Sequence, residues 1–332
     1  MASVSSIPRR SARSVQRVLR ILWNTLTFSE SARGYPRRAR ELASQWIFVR
    51  HRSSRFARVC GAYVQRWHCA RERRRPGDEH TFFLRNRVQC EVVRDIALRW
   101  AATATFHVAS IGCSTGAELY SALWMIRSAC PDVGIEATGV DISARALAVA
   151  RSGCYPRTGR EVQRLSAAEI DELACRGLFE VDGETLVVQP WVAAGTRWVE
   201  GNVLDPSLLQ RIGPQDVVIA NNILCHFQDA EAEAGLRNIA RLLLPGGHLL
   251  VQGIDLDVKT RVVKALGLEP VADRIEELYE GDAHALRRWP RSYWAPEPLD
   301  RGRRDWRIRY GTLFQRGPVA GSASPRCHRG AS

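Results

Sequence analysis

Two rhythms of apolar and polar positions run along this chain. From residue 106 onward, short apolar runs of strand character alternate with segments whose apolar residues recur every three to four positions. Residues 106–111 form the first run and stop at Gly112. Residues 117–129 then read as a helix, 135–140 as a strand ending at Asp141, and 144–152 as a second helix. The alternation resumes with a buried strand over 216–220, a helix over 230–244, a turn at Pro245-Gly246-Gly247 and a strand over 248–253. A last alternating strand is predicted over 306–314, and a helix over 91–100 precedes the first strand. Strands joined by helices predict a parallel sheet covered on both faces. Residues 154–199 break the pattern: 178–181, Asp182-Gly183 and 185–189 read as a hairpin with an Asp-Gly turn, inside a small antiparallel insertion. Insertions of this kind shape access to a site.

Ahead of this region the pattern is helical throughout. Val15, Val18, Leu19, Leu22 and Leu26 recur at helical spacing within 14–28, and two further helices are predicted over 35–50 and 54–71, ending before Pro76-Gly77. The organisation expected is a basic helical N-terminal region over 1–90, a main domain over 91–316 carrying the insertion at 154–199, and a small, polar, disordered tail over 317–332.

Composition narrows the function. With 332 residues, 45% hydrophobic and 25% charged, the chain has globular composition. Its longest apolar runs fall far short of the roughly 18 to 20 residues that span a bilayer, so a soluble protein without a transmembrane segment is expected, and its scattered cysteines suit a cytoplasmic setting. The net charge of +13 is almost all arginine, with lysine only at Lys259 and Lys264. It is concentrated at the N-terminus, where the acids between Arg9 and Arg75 are Glu30, Glu41 and Glu72. The plainer role for these helices is a subdomain whose apolar stripes pack together and whose arginines are solvated; the sharper one is a basic surface that docks an acidic protein partner, with nucleic acid not expected. An Arg/Ser-rich start also resembles a transit peptide, but the basic pattern continues past Arg66, longer than targeting needs. The nine cysteines include no C-x-x-C pair and no cluster at zinc spacing, so no metal site is expected and the thiols should be reduced.

The candidate chemistry begins where the first strand ends. Gly112 and Gly116 flank a strand-to-helix turn that lets a backbone approach a ligand and leaves helix N–H groups free to receive it. Asp141, at the end of the second strand, can accept both hydroxyl protons of a ribose. Glu118, in the first helical turn, would repel a pyrophosphate but suits a cofactor bearing sulfonium and ammonium groups. The string Gly112-Cys113-Ser114-Thr115-Gly116 also matches the nucleophile elbow of serine hydrolases, with Asp205 and His226 or His248 in triad order. Its place after the first strand, with no upstream oxyanion loop, and the presence of Asp141 and Glu118 weigh against that reading. Asn202 with Val203, and Asn221 with Asn222, follow later strands and should face the same crevice; turn and cap chemistry is the plainer role for such asparagines, and more so for Asn221 than for Asn222.

Several segments in register resemble the chemotaxis receptor methyltransferases of the CheR type. They are Thr81-Phe82-Phe83-Leu84-Arg85, the run from Ser114 through Glu118 to Ser121, Thr138-Gly139-Val140-Asp141-Ile142-Ser143, Gly153-Cys154-Tyr155, and Asn221-Asn222-Ile223-Leu224-Cys225-His226-Phe227. The likeness spans roughly residues 81–257. It implies a Rossmann-like class I methyltransferase sheet, an N-terminal helical subdomain, a small β insertion, S-adenosylmethionine as cofactor, and methyl transfer to glutamate side chains of a chemoreceptor. It also implies that Thr81 and Arg85 lie beside the transfer centre, with Gly112, Ser114, Gly116, Glu118, Asp141, Asn202, Val203 and Asn222 around the cofactor. Two positions depart from the family: His226 stands in the place of its active-site tyrosine and Asn221 in the place of an arginine. A small-molecule acceptor and a noncatalytic cofactor-binding module are the alternatives those departures leave open.

Overall fold

The computed structural model describes Gly61, Gln65, and residues 81–99, 105–290, 292 and 294–317. The helices expected over 14–28, 35–50 and 54–71, and the tail beyond Gly317, lie outside the described residues.

Seven strands make the main sheet: β1 (Phe106–Ile111), β2 (Ile135–Asp141), β6 (Thr196–Glu200), β7 (Gln215–Asn221), β8 (Leu243–Gln252), β9 (Leu268–Pro270) and β10 (Leu313–Arg316). Their spatial order is β6-β2-β1-β7-β8-β10-β9. β1 pairs in parallel with β2 and β7, β2 with β6 and β7 with β8, whereas β10 runs antiparallel to β8 and β9. The chain builds outward from β1 on one side, then returns to start β7 on the other. That reversal opens a crevice at the carboxyl ends of β1 and β7. The predicted α/β class and its parallel centre are therefore present.

Alternate residues of each central strand enter two different cores, as the pleat requires. Val108, Ala137, Val217, Ile219 and Leu250 pack with α1 (Arg87–Ala97), α2 (Ala117–Ala129) and the insertion. Ala109, Ile111, Val140, Val218, Leu249 and Val251 pack on the opposite side. There they meet α5 (Asp229–Arg241) and α6 (Leu256–Ala265). α2 buries nine of its residues, from Ala117 to Ile126, because the sheet lies on one side and α1 and the insertion on the other. α3 (Ala144–Ser152) starts at Ser143, whose side chain accepts from Ala146 N at 3.1 Å, and stops at Gly153 with φ +61°.

The insertion is a three-stranded antiparallel sheet, β3 (Cys154–Pro156), β5 (Thr185–Val188) and β4 (Phe179–Asp182), with α4 (Ala167–Cys175) beside it. Gly183, at φ +56°, makes the expected Asp-Gly turn. The sequence boundary at Val199 falls inside β6, which returns to the main sheet as an edge strand beside β2. Short helices α7 (Ile275–Glu280), α8 (Ala283–Arg288) and α9 (Trp306–Tyr310) lie between β9 and β10.

Two expectations need correction. Residues 306–314 are not one strand: Trp306–Tyr310 is helical and only Leu313–Arg316 joins the sheet. The alternation of Trp306, Ile308 and Tyr310 looked like a strand, but Arg309 is buried as well. It is held by Glu297 at 2.9 Å and Asp257 at 2.5 Å, and neutralising that charge makes a helical turn with adjacent buried residues possible. The Pro245-Gly246-Gly247 turn lies within β8 rather than before it. Gln215 pairs with Leu243 and Val217 with His248, so residues 244–247 bulge out opposite Asp216.

Candidate functional site

The crevice is walled by the loops after β1, β2, β6 and β7. After Ile111 the chain turns sharply. Gly112 has φ +73°, Ser114 +50° and Gly116 +83°. The N–H groups of Gly112 and Cys113 donate to Val140 O at 2.8 and 3.0 Å, which ties the turn to β2. A Cβ at Gly116 would sit 2.5 Å from the Trp198 ring, and one at Gly112 2.7 Å from Ile223. Each glycine is therefore required by a side chain from a distant part of the chain as well as by its dihedral.

Asp141 reaches across this turn. One carboxylate oxygen accepts from Ser114 N at 2.7 Å, the other from Ser143 N at 2.9 Å. The next residue, Ile142, is 69% exposed, an unusual position for an apolar side chain at a strand tip. Sequence reasoning passed over it; its signal was a β-branched apolar residue directly after the acid. On the far side of the turn Glu118 is half-buried and accepts from Asn221 Nδ2 at 2.9 Å. Burial raises the Glu118 carboxyl above its ordinary 4.5, against the opposing pull of Arg85 and of the Asn221 bond.

Turn chemistry is the plainer expectation for Asn221, yet its amide bonds Glu118 and a second side chain. The same Nδ2 of Asn221 donates to Gln89 Oε1 at 2.6 Å. Gln89 Nε2 donates to Gln252 Oε1 at 2.9 Å, and Gln252 Nε2 to Tyr279 O at 3.1 Å. Asn222 carries a φ of +56°, a left-handed conformation that asparagine tolerates. Gly253 presses against it, where a Cβ would lie 2.5 Å from its Oδ1. Asn202 is exposed, with its Oδ1 accepting from Leu204 N at 2.9 Å. Val203 packs in the core, so its backbone is the part that can meet a ligand. His226 ends the 3₁₀ turn Leu224–His226 and is half-buried.

The 81–85 segment lies over the N-terminal end of α2. Phe83 N donates to Glu161 O at 2.9 Å and Leu84 N to Ser121 Oγ at 2.9 Å. Thr81 is buried. Arg85 Nε lies 3.3 Å from Asp282 Oδ2, and Arg164 from the insertion binds both oxygens of the same carboxylate at 3.0 and 3.1 Å. The Arg164 guanidinium sits 3.9 Å over the Phe82 ring and that of Arg85 5.5 Å. Burial alone would raise the Asp282 carboxyl, but Arg164, the Ala285 N–H and Arg85 outweigh it and hold it below its usual range. Gln89, Gln252, Asp282 and Arg164 were all missed from the sequence, because their roles depend on partners 118 or more residues away.

A serine hydrolase is poorly served by this arrangement. Ser114 Oγ is buried without a hydrogen-bond partner, so no base is in place to take its proton. Asp205 is engaged by Ser207 N and Oγ at 2.9 and 2.8 Å. His248 pairs with Val217, away from the carboxyl end of β8, and burial pushes its pKa down to about 4. A ligand with a vicinal diol and cationic groups fits the crevice better. Asp141 and Glu118 face it from two sides, and the unpartnered Ser114 Oγ and Asn221 Oδ1 remain to be satisfied. Among the described residues no group of three or more His, Cys, Asp or Glu is arranged to hold a metal.

Comparison with known proteins agrees with this geometry. The family described as CheR methyltransferase, SAM binding domain, matches residues 79–260, more than half of the chain. Over 182 residues the chain is 26% identical to the probable biofilm formation methyltransferase WspC of Pseudomonas aeruginosa, covering 54% of this chain and 40% of that one. It is 25% identical over 178 residues to chemotaxis protein methyltransferase 2 of Vibrio cholerae, covering 52% and 60%. A chemotaxis protein methyltransferase of Campylobacter jejuni is 26% identical over 187 residues, covering 56% and 67%. The chain thus spans less than two thirds of the length of the first two relatives.

Proposed function

Because this chain belongs to the CheR methyltransferase family, whose domain binds S-adenosylmethionine, we propose that it transfers methyl to a carboxylate oxygen of glutamate side chains on an acidic, chemoreceptor-type protein. The observation that carries the reading is the pair of carboxylates, Asp141 and Glu118, brought to opposite sides of the 112–116 turn. When bound, S-adenosylmethionine supplies an activated methyl on a sulfonium.

The residues of this chain then have separable tasks. Asp141 accepts the ribose hydroxyl protons. Glu118, oriented by Asn221, faces the cationic end of the cofactor. Ile142 offers an apolar surface to a flat ring, and Thr81, Gly112, Ser114, Gly116, Asn202, Val203 and Asn222 complete the wall. A glutamate acceptor is already ionised near neutral pH, so no base is required; alignment supplies most of the acceleration. Arg85, braced by Asp282 and Phe82, holds the acceptor carboxylate in line, and His226 hydrogen-bonds it. The basic N-terminal region would dock the acidic partner in a cytoplasmic setting. Among the described residues no helix is long and apolar enough to cross a membrane.

Incubation with tritiated S-adenosylmethionine and a chemoreceptor cytoplasmic fragment tests the reading. Base-labile methyl ester on the receptor is the expected result. Label confined to a small molecule, or cofactor binding without transfer to any carboxylate, would overturn the protein-glutamate assignment.

A further inference from the structure

A second cleft lies beyond the carboxyl end of β8. Gln252, Cys225, Tyr279, Trp294, Lys259 and Thr312 are among the residues that line it. We propose that this cleft binds a small organic carboxylate, gripped by Lys259 and Thr312 with its apolar part against Tyr279 and Trp294.

Two side chains here have unused hydrogen-bonding capacity. Lys259 is 2% exposed, and its Nζ donates to Gly311 O at 2.6 Å. An ammonium has three donors, so two are left for a ligand. Thr312 is 1% exposed and its Oγ1 is buried with no hydrogen-bond partner. Buried polar groups are nearly always satisfied, so the unpartnered Thr312 hydroxyl, lining a cleft together with an ammonium that has donors to spare, points to a ligand. A carboxylate, with two oxygens and only acceptors, matches an ammonium beside a hydroxyl.

The other charged groups facing the cleft are already committed. Arg309 bonds Glu297 at 2.9 Å and Asp257 at 2.5 Å, and Asp255 accepts from the N–H groups of Asp257 and Val258 at 2.9 and 3.1 Å. Burial, with Arg309 acting in the same direction and Glu297 against it, depresses the Lys259 pKa to about 7. An anion favours the charged amine, so binding should strengthen below that value and weaken above it. The cleft adjoins the cofactor crevice at Gln252, whose amide belongs to the chain that orients Asn221.

Phenylacetate is a suitable probe, titrated by calorimetry against the full chain. Saturable binding is expected that weakens from about pH 6 to 8 and is lost about tenfold in Lys259→Met and in Thr312→Val. Titration of S-adenosylhomocysteine in parallel reports whether each variant is folded, and it reads the cofactor site independently. Should Lys259→Met fail to fold, Thr312→Val and the uncharged phenylacetamide on the unaltered protein still decide. No saturable phenylacetate binding, equal binding by the amide, or unchanged affinity in Thr312→Val would each overturn the proposal.

Discussion

At the scale of single residues, the site is a set of carboxylates whose neighbours set their tasks. Asp141 uses both oxygens on backbone N–H groups of two loops, so it is held in one rotamer before any ligand arrives. Asp141→Ala should weaken S-adenosylhomocysteine binding by about tenfold to a hundredfold in calorimetry, the loss of one or two hydrogen bonds to a charged group. Glu118 has its carboxyl raised above 4.5, and a cationic ligand prefers it ionised. S-adenosylmethionine affinity should therefore fall as pH drops toward that raised value, and Glu118→Gln should bind more weakly with a flat profile. Asp282 has the opposite sign. Its carboxyl is depressed, so the stability it contributes is present above its unfolded value and lost as pH falls through the folded one. Removing its charge leaves Arg85 and Arg164 uncompensated in a partly buried place. Asp282→Asn should cost about 2 to 4 kcal/mol in urea denaturation. Asp141 and Glu118 were legible in the sequence because each sits at a fixed distance from a strand end. Asp282 was not, since the cations that give it meaning come from segments far away along the chain.

At the scale of elements, legibility followed local periodicity. β1, α2, β2 and α3 were readable because their apolar spacing is local and each is bounded by a glycine, a serine cap or an acid. The misreading of 306–314 has the converse cause: the alternation there is real, but the buried ion pairs of Arg309 decide the conformation. The turn between β1 and α2 can be probed without touching charge. Gly116→Ala places a Cβ against Trp198 and requires a left-handed alanine, and should lower stability by about 1 to 3 kcal/mol, read as a fall in thermal midpoint. Trp124, fully enclosed between the sheet and the insertion, should cost about 3 to 5 kcal/mol on change to Ala without altering the residues of the crevice.

At the scale of the whole molecule, distant stretches of sequence meet at one crevice: among them the segment before α1, the β1 and β2 loops, the insertion through Arg164, and the start of α8 through Asp282. A ligand that closes on them stabilises all of them together. S-adenosylhomocysteine at about a hundredfold over its dissociation constant should raise unfolding free energy by about 2.7 kcal/mol. An Asp141→Ala protein should gain little at the same concentration. The fold class was visible early because strand and helix alternate in order; the antiparallel β10 and the placement of β6 at the sheet edge were not, since nothing local marks which edge a strand will join.

The amide chain running from Glu118 through Asn221, Gln89 and Gln252 to the Tyr279 carbonyl has a further consequence. Its two ends are both acceptors, so the hydrogens must all originate from within, and Asn221 spends both of its amide protons to supply two neighbours at once. The arrangement has a parity: turning any one amide over sets oxygen against oxygen at the next link, so each of the three must keep its orientation for the others to keep theirs. Asn221→Asp breaks that parity at its origin, facing three acceptors toward one another with no proton between them, and a change of a single atom type thereby unsettles a line of side chains reaching from the cofactor crevice to α7.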